Sequence, residues 1–551
     1  MVTDALAGLV SAALKAAMAD GVLASGSLPE PLFERPKRPE HGDWATNIAL
    51  VVGRGGVNPR SVAAALVERL PSSDLVDTVE VAGPGFLNFH LSPKWLRDVV
   101  QRAADPASGF GRSSEGRGLH INLEYVSANP TGPMNVVSGR HAAVGDALAG
   151  LLEATGHKVT REFLINDEGR QLELFAQSVA ARYLQHFGVE AELPEDGYQG
   201  EYLIEVAGQI ADEIGDSLVR SSSDQRVETL RDLALQRMLD SMRSSLERFG
   251  SHFDVWFSER KMHDSGAVSA AIERLRGSDF IDERDNALWF RSSQFGDDKD
   301  RVVVRSNGTT TYLAADVAYL LDKAGRGYDQ LIYLWGADHH GTITRMLAAA
   351  QALGLDREQM EIRLIQNVSL LRKGVTVKAS KRAGEIIMLD ELVDEVGRDA
   401  ARYTFLTRSM DAPLEFDIEL VKQESPENPV YYVQYAHARI CSILKRAGEQ
   451  GVVIHGAPTL EPLGHPSEGQ LMRKLSSYEE TVPQAAQARA PQKLTRYLEE
   501  LGTSFTAFYR DCRVISDDRE LSQARLALCI ATKRVIADGL GLIGVSAPES
   551  M

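Results

Sequence analysis

The sequence predicts a multidomain α/β protein: a parallel sheet carrying a helical insertion, preceded by a small α+β module and followed by an all-α helical bundle. Three observations predict it. From Ile121 onward, apolar strand candidates alternate with helical patterns, the order of βαβ units with right-handed crossovers. Between about 175 and 265 that alternation gives way to helical periodicity alone. From about 411 to the end, the spacing of apolar residues is almost entirely helical. A chain of 551 residues also exceeds what one core holds, so several domains are expected.

The first part, residues 1 to about 105, opens with an amphipathic helix that mixes Asp4, Lys15 and Asp20 among Ala and Leu. It lacks the basic head and apolar block of a signal peptide. Arg38-Pro-Glu-His-Gly-Asp-Trp-Ala-Thr-Asn47 follows, then a strand at Val79–Val81, a turn at Gly83-Pro-Gly85 and an alternating strand Phe86–Leu91. Residues 105 to 118 are rich in Gly and Ser and read as a linker.

The second part, about 115 to 410, starts with a βαβ unit: a strand at Ile121–Val126, a turn at Asn129–Pro133, a helix over Ser138–Ala154 and a strand over Val159–Ile165. Within the insertion, Leu230, Ala234, Met238, Met242, Leu246 and Phe249 recur at helical spacing, a core stripe rather than a binding face. Sheet texture resumes at Arg301–Arg305, Gln330–Trp335 and Ile362–Ile365. In the third part, Val430, Val433, Ala436, Ile440 and Ile443 form one apolar helix face, and Leu526, Ile530, Val535 and Leu540 another.

Apolar residues make up 44% and charged residues 25%, an ordinary soluble mix. The absence of a long uninterrupted apolar run argues against a membrane span. Cys441, Cys512 and Cys529 are odd in number and widely spaced, as expected of reduced thiols in a cytosol, with neither a disulfide frame nor a metal cluster. The formal charge, 60 − 77 = −17, argues against nonspecific nucleic-acid binding but leaves room for a local basic patch.

Four motifs carry chemistry. Glu124-Tyr-Val-Ser127-Ala-Asn129-Pro130-Thr131-Gly132-Pro133 follows a strand and opens a helix, where backbone amides can meet phosphate. Tyr312-Leu-Ala-Ala-Asp316 puts a phenol and a carboxylate four apart on one helix face. Trp335-Gly336-Ala-Asp338-His339-His340-Gly341 places polar groups at the end of an apolar strand; adjacent histidines rarely share one ion, so nucleotide contact is preferred to metal. Val377-Lys378-Ala-Ser380-Lys381-Arg382-Ala-Gly384 is a cationic loop suited to phosphates. Taken singly, each has a plainer reading: a turn, a surface Asp, a solvated basic loop.

Together, and in this order, the motifs resemble those of bacterial arginyl-tRNA synthetases, and Lys378–Arg382 stands at the Lys-Met-Ser-Lys-Ser loop of class I synthetases. Asn428–Arg439 and Gly544–Met551 resemble the family's anticodon-binding domain; His41–Asn47 and Gly83–Asn88 resemble its N-terminal domain. The resemblance spans essentially the whole chain. It implies a Rossmann-like catalytic domain and an arginine–tRNA ligase acting on L-arginine, ATP with Mg2+, and tRNA(Arg), cytoplasmic and monomeric, without a structural metal. It implies that Glu124, Ser127, Asn129, Tyr312 and Asp316 hold arginine, whose guanidinium fork needs facing carboxylates. It implies that Pro130, Thr131, Gly132, Pro133, Asn135, Ser138, Gly336, Asp338 and His340 line the ATP pocket, and that Lys378, Ser380 and Lys381 act in adenylation. Phe86 and Asn88 would meet the tRNA elbow; Tyr435, Arg439, Tyr509 and Met551 would approach the anticodon loop. Without the resemblance, Tyr435 and Tyr509 read as helix core.

One departure stands out. Where class I synthetases carry His-Ile-Gly-His, this chain has Asn135-Val136-Val137-Ser138. Asn and Ser retain hydrogen-bonding groups, but Val137 replaces a glycine that admits close approach of adenine. Two functional classes follow: a ligase with a rebuilt pocket, or a non-catalytic tRNA-binding paralogue. The ligase is favoured because the arginine residues, the lysine loop and both tRNA domains are intact. The insertion at about 175–265 has no assigned role.

Overall fold

The structure is a computed structural model; it describes residues 2–24, 26–36, 38–53, 57–277, 279–377, 387–454, 456 and 458–551. At its centre lies a five-stranded, all-parallel sheet. Across the sheet the strands run Met360–Ile365, Gln330–Gly336, His120–Glu124, Lys158–Ile165 and Val255–Ser258. The chain winds outward in one direction from the His120 strand and then crosses back to start again at the Gln330 strand. These two neighbours are therefore the topological switch point, where adjacent crossovers diverge and leave a crevice beyond the strands' carboxyl ends. Glu124 and Gly336 end those two strands.

The predicted elements of this unit are present, with ends shifted by a residue or two. The helix after the first strand starts at Val136, capped by Asn135, and runs to Ala154 with most of its circumference buried. Small residues let it pack closely on both sides: a Cβ on Gly145 would fall 2.2 Å from the Tyr125 ring at the end of the first strand, and one on Gly150 2.5 Å from the Leu542 carbonyl of the C-terminal helix. The insertion is helical over Arg170–His186, Tyr202–Ile214 and Ser223–Arg248, and the stripe from Leu230 to Phe249 is buried throughout; the insertion ends short of the expected 265, because Val255–Ser258 returns to the parallel sheet as its edge strand.

Two sequence expectations are corrected. The Arg301–Val304 strand joins an antiparallel three-stranded sheet with Ile281–Arg284 and Ala287–Phe290, because a tight turn and then a loop with one 3-10 turn, Ser292–Phe295, link these strands rather than α-helical crossovers. The stretch at 105–118 is not a loose linker: Phe110 stacks on Tyr478 at 6.1 Å, and Arg112 pairs with Asp538 at 2.5 Å.

At the N-terminus, the helix Val2–Ala19 is long and apolar enough by length and composition to cross a bilayer. Here it buries Leu6, Val10, Ala13, Leu14 and Ala17 in a separate core with Trp44, Ile48 and Phe89. The helix Pro93–Ala104 instead packs Leu96, Val99 and Val100 into the main core shared with the C-terminal helices. Asp43 with Arg473 at 2.8 Å and Glu480 with Arg35 at 3.0 Å tie the N-terminal core to those helices. Past residue 411 a last strand, Leu414–Asp417, pairs with Val368–Arg372 before the helical region begins. Arg402, fully buried, joins the parts: it donates to the Phe249 and Ile543 carbonyls and to Ser251 Oγ, and pairs with Asp146.

Candidate active site

The turn after the first strand is strained. Val126 and Ser127 both have positive φ, 70° and 42°, a region that a β-branched residue such as Val rarely enters, at a cost of about 1–3 kcal/mol each. Hydrogen bonds hold it: Ser127 Oγ donates to Glu124 Oε1 at 3.1 Å and accepts from the Leu164 amide at 3.1 Å. Asn129 continues the turn, donating to Gln171 Oε1 at 2.5 Å and accepting from Asn166 Nδ2 at 2.8 Å. Pro130 and Thr131 are buried, and the Thr131 carbonyl accepts from the Tyr202 hydroxyl at 2.6 Å. A Cβ on Gly132 would meet that same hydroxyl at 3.5 Å. The insertion therefore covers and anchors this loop.

Asn135 Oδ1 accepts from the Ser138 amide at 3.0 Å and the Ser138 hydroxyl at 3.3 Å. The residues that replace the two histidines thus build an N-cap. The cap satisfies one of the helix's orphan amides at the positive end of the helix dipole, and Val137 in that first turn is 38% exposed. One turn further on the same face lies His141, 6% exposed with Nδ1 buried and unpartnered. Its ring lies against Gly336, whose added Cβ would be 4.0 Å from His141 Cε1. Burial first, then the Arg140 cation, lowers its pKa to about 4, so the imidazole is neutral. Asp338, His339 and His340 are exposed beyond Gly336.

Lys378, Ser380 and Lys381 lie outside the described residues. The chain beyond them returns beside the loop just described: the Leu389 amide donates to the Met134 carbonyl at 2.9 Å, and Met388 bridges to Asn135.

The acidic part of the site comes from three elements. The helix Tyr312–Gly325 presents Tyr312, Asp316, Tyr319 and Lys323 along one face. Tyr312 stands 77% exposed at the mouth. Asp316 is half-buried, and burial raises its pKa to about 6, with Arg345 opposing and Glu124 adding to the rise. Glu259, the first residue of the helix Glu259–Asp264, has its pKa raised to about 7 by burial and then by Asp316, Asp167 and Glu168. Glu162 closes the back wall, holding Arg326 at 2.7 and 2.8 Å, the Tyr319 hydroxyl at 2.7 Å and Asn122 at 2.6 Å.

Glu124 lies near enough to Asp316 for its charge to raise the Asp316 pKa, but it is not an open carboxylate. Glu124 is buried, and its Oε2 is taken by Lys323 Nζ at 2.5 Å. A further carboxyl, Glu259, which sequence reasoning missed, lies near enough to Asp316 for that charge to raise its pKa. Its available signal was weak: an acidic residue right after a short strand, far along the chain from the other motifs.

The tRNA candidates divide. Tyr435 and Tyr509 are not core: they are 38% and 40% exposed, with the Arg439 guanidinium 4.7 and 5.1 Å from their ring centres. Tyr431 stacks on Tyr435 at 5.9 Å, and Met551 is exposed. Phe86 is half-buried. Asn88 is corrected: it is 4% exposed, flanked by Ala45 and Glu80 in a three-stranded sheet, and cannot reach RNA from there.

Comparison with known proteins agrees with this architecture. Residues 4–91 match the arginyl-tRNA synthetase N-terminal domain, residues 112–411 the class I (R) tRNA synthetase catalytic domain, and residues 433–551 the DALR anticodon-binding domain. The arginine–tRNA ligase of Moorella thermoacetica is 46% identical over 99% of this chain and 98% of its own. That of Desulforamulus reducens is 44% identical over 100% of this chain and 99% of its own. The arginyl-tRNA synthetase structure of Thermus thermophilus shares the fold, with a TM-score of 0.79 and 22% identity over 100% of both chains. The chain belongs to the arginyl-tRNA synthetase family of class I synthetases.

Proposed function

We propose that this chain is an arginine–tRNA ligase whose substrates meet at the switch point. Arginine enters past Tyr312, its guanidinium facing Asp316 and Glu259 and its backbone end turned toward Glu124, Ser127 and Asn129. A planar fork of five donors against two carboxylates satisfies more hydrogen bonds than a lysine ammonium can, which gives the discrimination its physical basis. ATP lies over the first turn of the Val136–Ala154 helix, its phosphates near the positive end of the helix dipole, its adenosine near Gly336, Asp338 and His340. His141, neutral and buried below, offers a hydrogen bond to the nucleotide. Lys378 and Lys381 offset phosphate charge, with Ser380 between them. Among the described residues no group of three or more His, Cys, Asp or Glu is placed to hold a metal ion, so Mg2+ would arrive on the ATP phosphates.

The arginine carboxylate then attacks the α-phosphorus in line, pyrophosphate leaves, and a terminal ribose hydroxyl of tRNA(Arg) displaces AMP from the adenylate. No protein nucleophile is required; the protein positions the reactants and stabilises charge. Tyr435, Tyr509, Arg439 and Met551 offer rings and a cation to unstacked anticodon bases, while Phe86 serves the elbow. In this reading the N-terminal tRNA-binding part ends at Leu91, the catalytic part spans about 112–411 and the remainder holds the anticodon. A monomer in the cytoplasm completes the proposal.

The observation that carries the arginine assignment is the cluster of half-buried carboxyls, Asp316 and Glu259, beside the Glu124–Lys323 pair at the switch point. The test is aminoacylation of tRNA(Arg) across all amino acids with ATP and Mg2+. Arginine alone is expected to be charged; charging of another amino acid, or tRNA binding with no charging, would overturn it. The non-catalytic paralogue is not favoured, because Asn135 and Ser138 preserve a capped helix end at the phosphate position.

A further inference from the structure

Lys323 is a buried cation that no motif above explains. It is fully enclosed, and its Nζ sits 2.5 Å from Glu124 Oε2. The Tyr319 and Tyr333 rings flank the ammonium, with centres 4.4 and 4.1 Å away. Ser127 engages the other Glu124 oxygen. Around this pair stand Asp316 on the same helix as Lys323, Glu162 with Arg326 on the neighbouring strand and helix end, and the hydroxyls of Tyr319 and Tyr333. Glu162 is matched by Arg326 and Asp316 feels Arg345. Without Lys323, Glu124 would be the one of these three carboxylates left without a countercharge.

We propose that Lys323 is a positioning residue of the arginine site: its caged ammonium supplies the fixed countercharge of Glu124 and locks that carboxylate at the strand end before substrate arrives. A buried ion pair of this kind adds little net stability, yet removing one partner strands the other. Glu124 is thereby set as a rigid wall, and the carboxyls left to answer the guanidinium are Asp316 and Glu259. This rests on the arginine reading above.

The test compares Lys323→Met, Glu124→Gln and the double variant. A carboxylate buried with no countercharge takes up a proton. In Lys323→Met the folded state therefore binds a proton that the unfolded chain releases, so the loss of thermal stability relative to wild type widens from about pH 5 to pH 8. Adding Glu124→Gln removes that widening. With arginine and tRNA present, Lys323→Met lowers kcat/KM for arginine at least tenfold at pH 6 and less at pH 8, and leaves the ATP KM within twofold. Stability profiles of wild type and Lys323→Met that run parallel would overturn the countercharge. Unchanged arginine kinetics in the folded variant would overturn the positioning role. Absence of arginine charging by wild type would sink the functional reading, while the stability profiles still decide the countercharge. The double variant leaves no lone buried charge, so it reports even where Lys323→Met alone fails to fold.

Discussion

Replacing Glu259 by glutamine keeps the side chain's shape and removes its charge. In the proposed complex, one charge-assisted hydrogen bond to the guanidinium is lost, and an amide N–H2 is set against a group that only donates. Such bonds contribute about 1.5–3 kcal/mol, so the arginine KM should rise about ten- to one-hundredfold. The ATP KM should stay within twofold, because Glu259 lies on the amino-acid side of the site. The pH dependence provides an independent reading. Glu259 has a pKa of about 7 and Asp316 of about 6 in the free protein, both raised mainly by burial. A bound guanidinium favours their charged forms, so binding expels protons whenever they are present. Arginine affinity is then full above pH 7 and falls as the pH drops through it. From pH 8 to pH 6 the loss is about tenfold from Glu259 and a further twofold or so from Asp316. In Glu259→Gln only the smaller part should remain. Arginine-dependent charging at saturating tRNA, measured across this range with the ATP KM as control, reads both effects. A flat wild-type profile, or a glutamine variant within twofold of wild type, would refute the assignment.

His141→Ala should raise the ATP KM about two- to tenfold, the worth of one ordinary hydrogen bond, with the arginine KM unchanged and no new pH dependence between 6 and 8; an unaltered ATP KM in folded protein would remove His141 from the nucleotide site. Tyr435→Ala should weaken tRNA binding about five- to one-hundredfold through lost stacking, leaving ATP and arginine kinetics intact; filter binding checks this, and normal tRNA affinity would count against the anticodon face. Arg402→Met leaves Asp146 with the more distant Arg161, 3.8 Å away, and strips several carbonyls of their donor. It should destabilise the protein by about 2–4 kcal/mol, read as a lower unfolding midpoint; a midpoint equal to wild type would show that the joint among the insertion, the sheet helix and the C-terminal tail carries no weight.

What could be read in the chain itself was whatever neighbouring residues encode. Apolar spacing set four of the five strands of the parallel sheet, the insertion's core stripe and the C-terminal helices, but not Val255–Ser258, which is too short to stand out from the helical stretch around it. The ordered motifs set the family, because each is a short run whose function needs contiguous residues. Asn135 as a helix cap was local too, four residues of sequence ending in Ser138. Tyr435 and Tyr509 could not be placed by spacing, since an aromatic at helical period reads as core until the missing neighbour is known.

Partnership across the fold was decided elsewhere. The order of the five strands puts Glu124 beside Tyr333, and the crossover helix above them brings down Asp316 and Lys323. Only that stacking pairs Lys323 with Glu124 and couples Glu259, from a third segment, to Asp316. The same holds for Asn88, whose burial depends on strands on both sides. The sequence by itself determined the elements, the family and the residue types available to the site. Tertiary structure decided which charges cancel and which stay open, because Coulomb energy and desolvation depend on distances that chain separation does not encode.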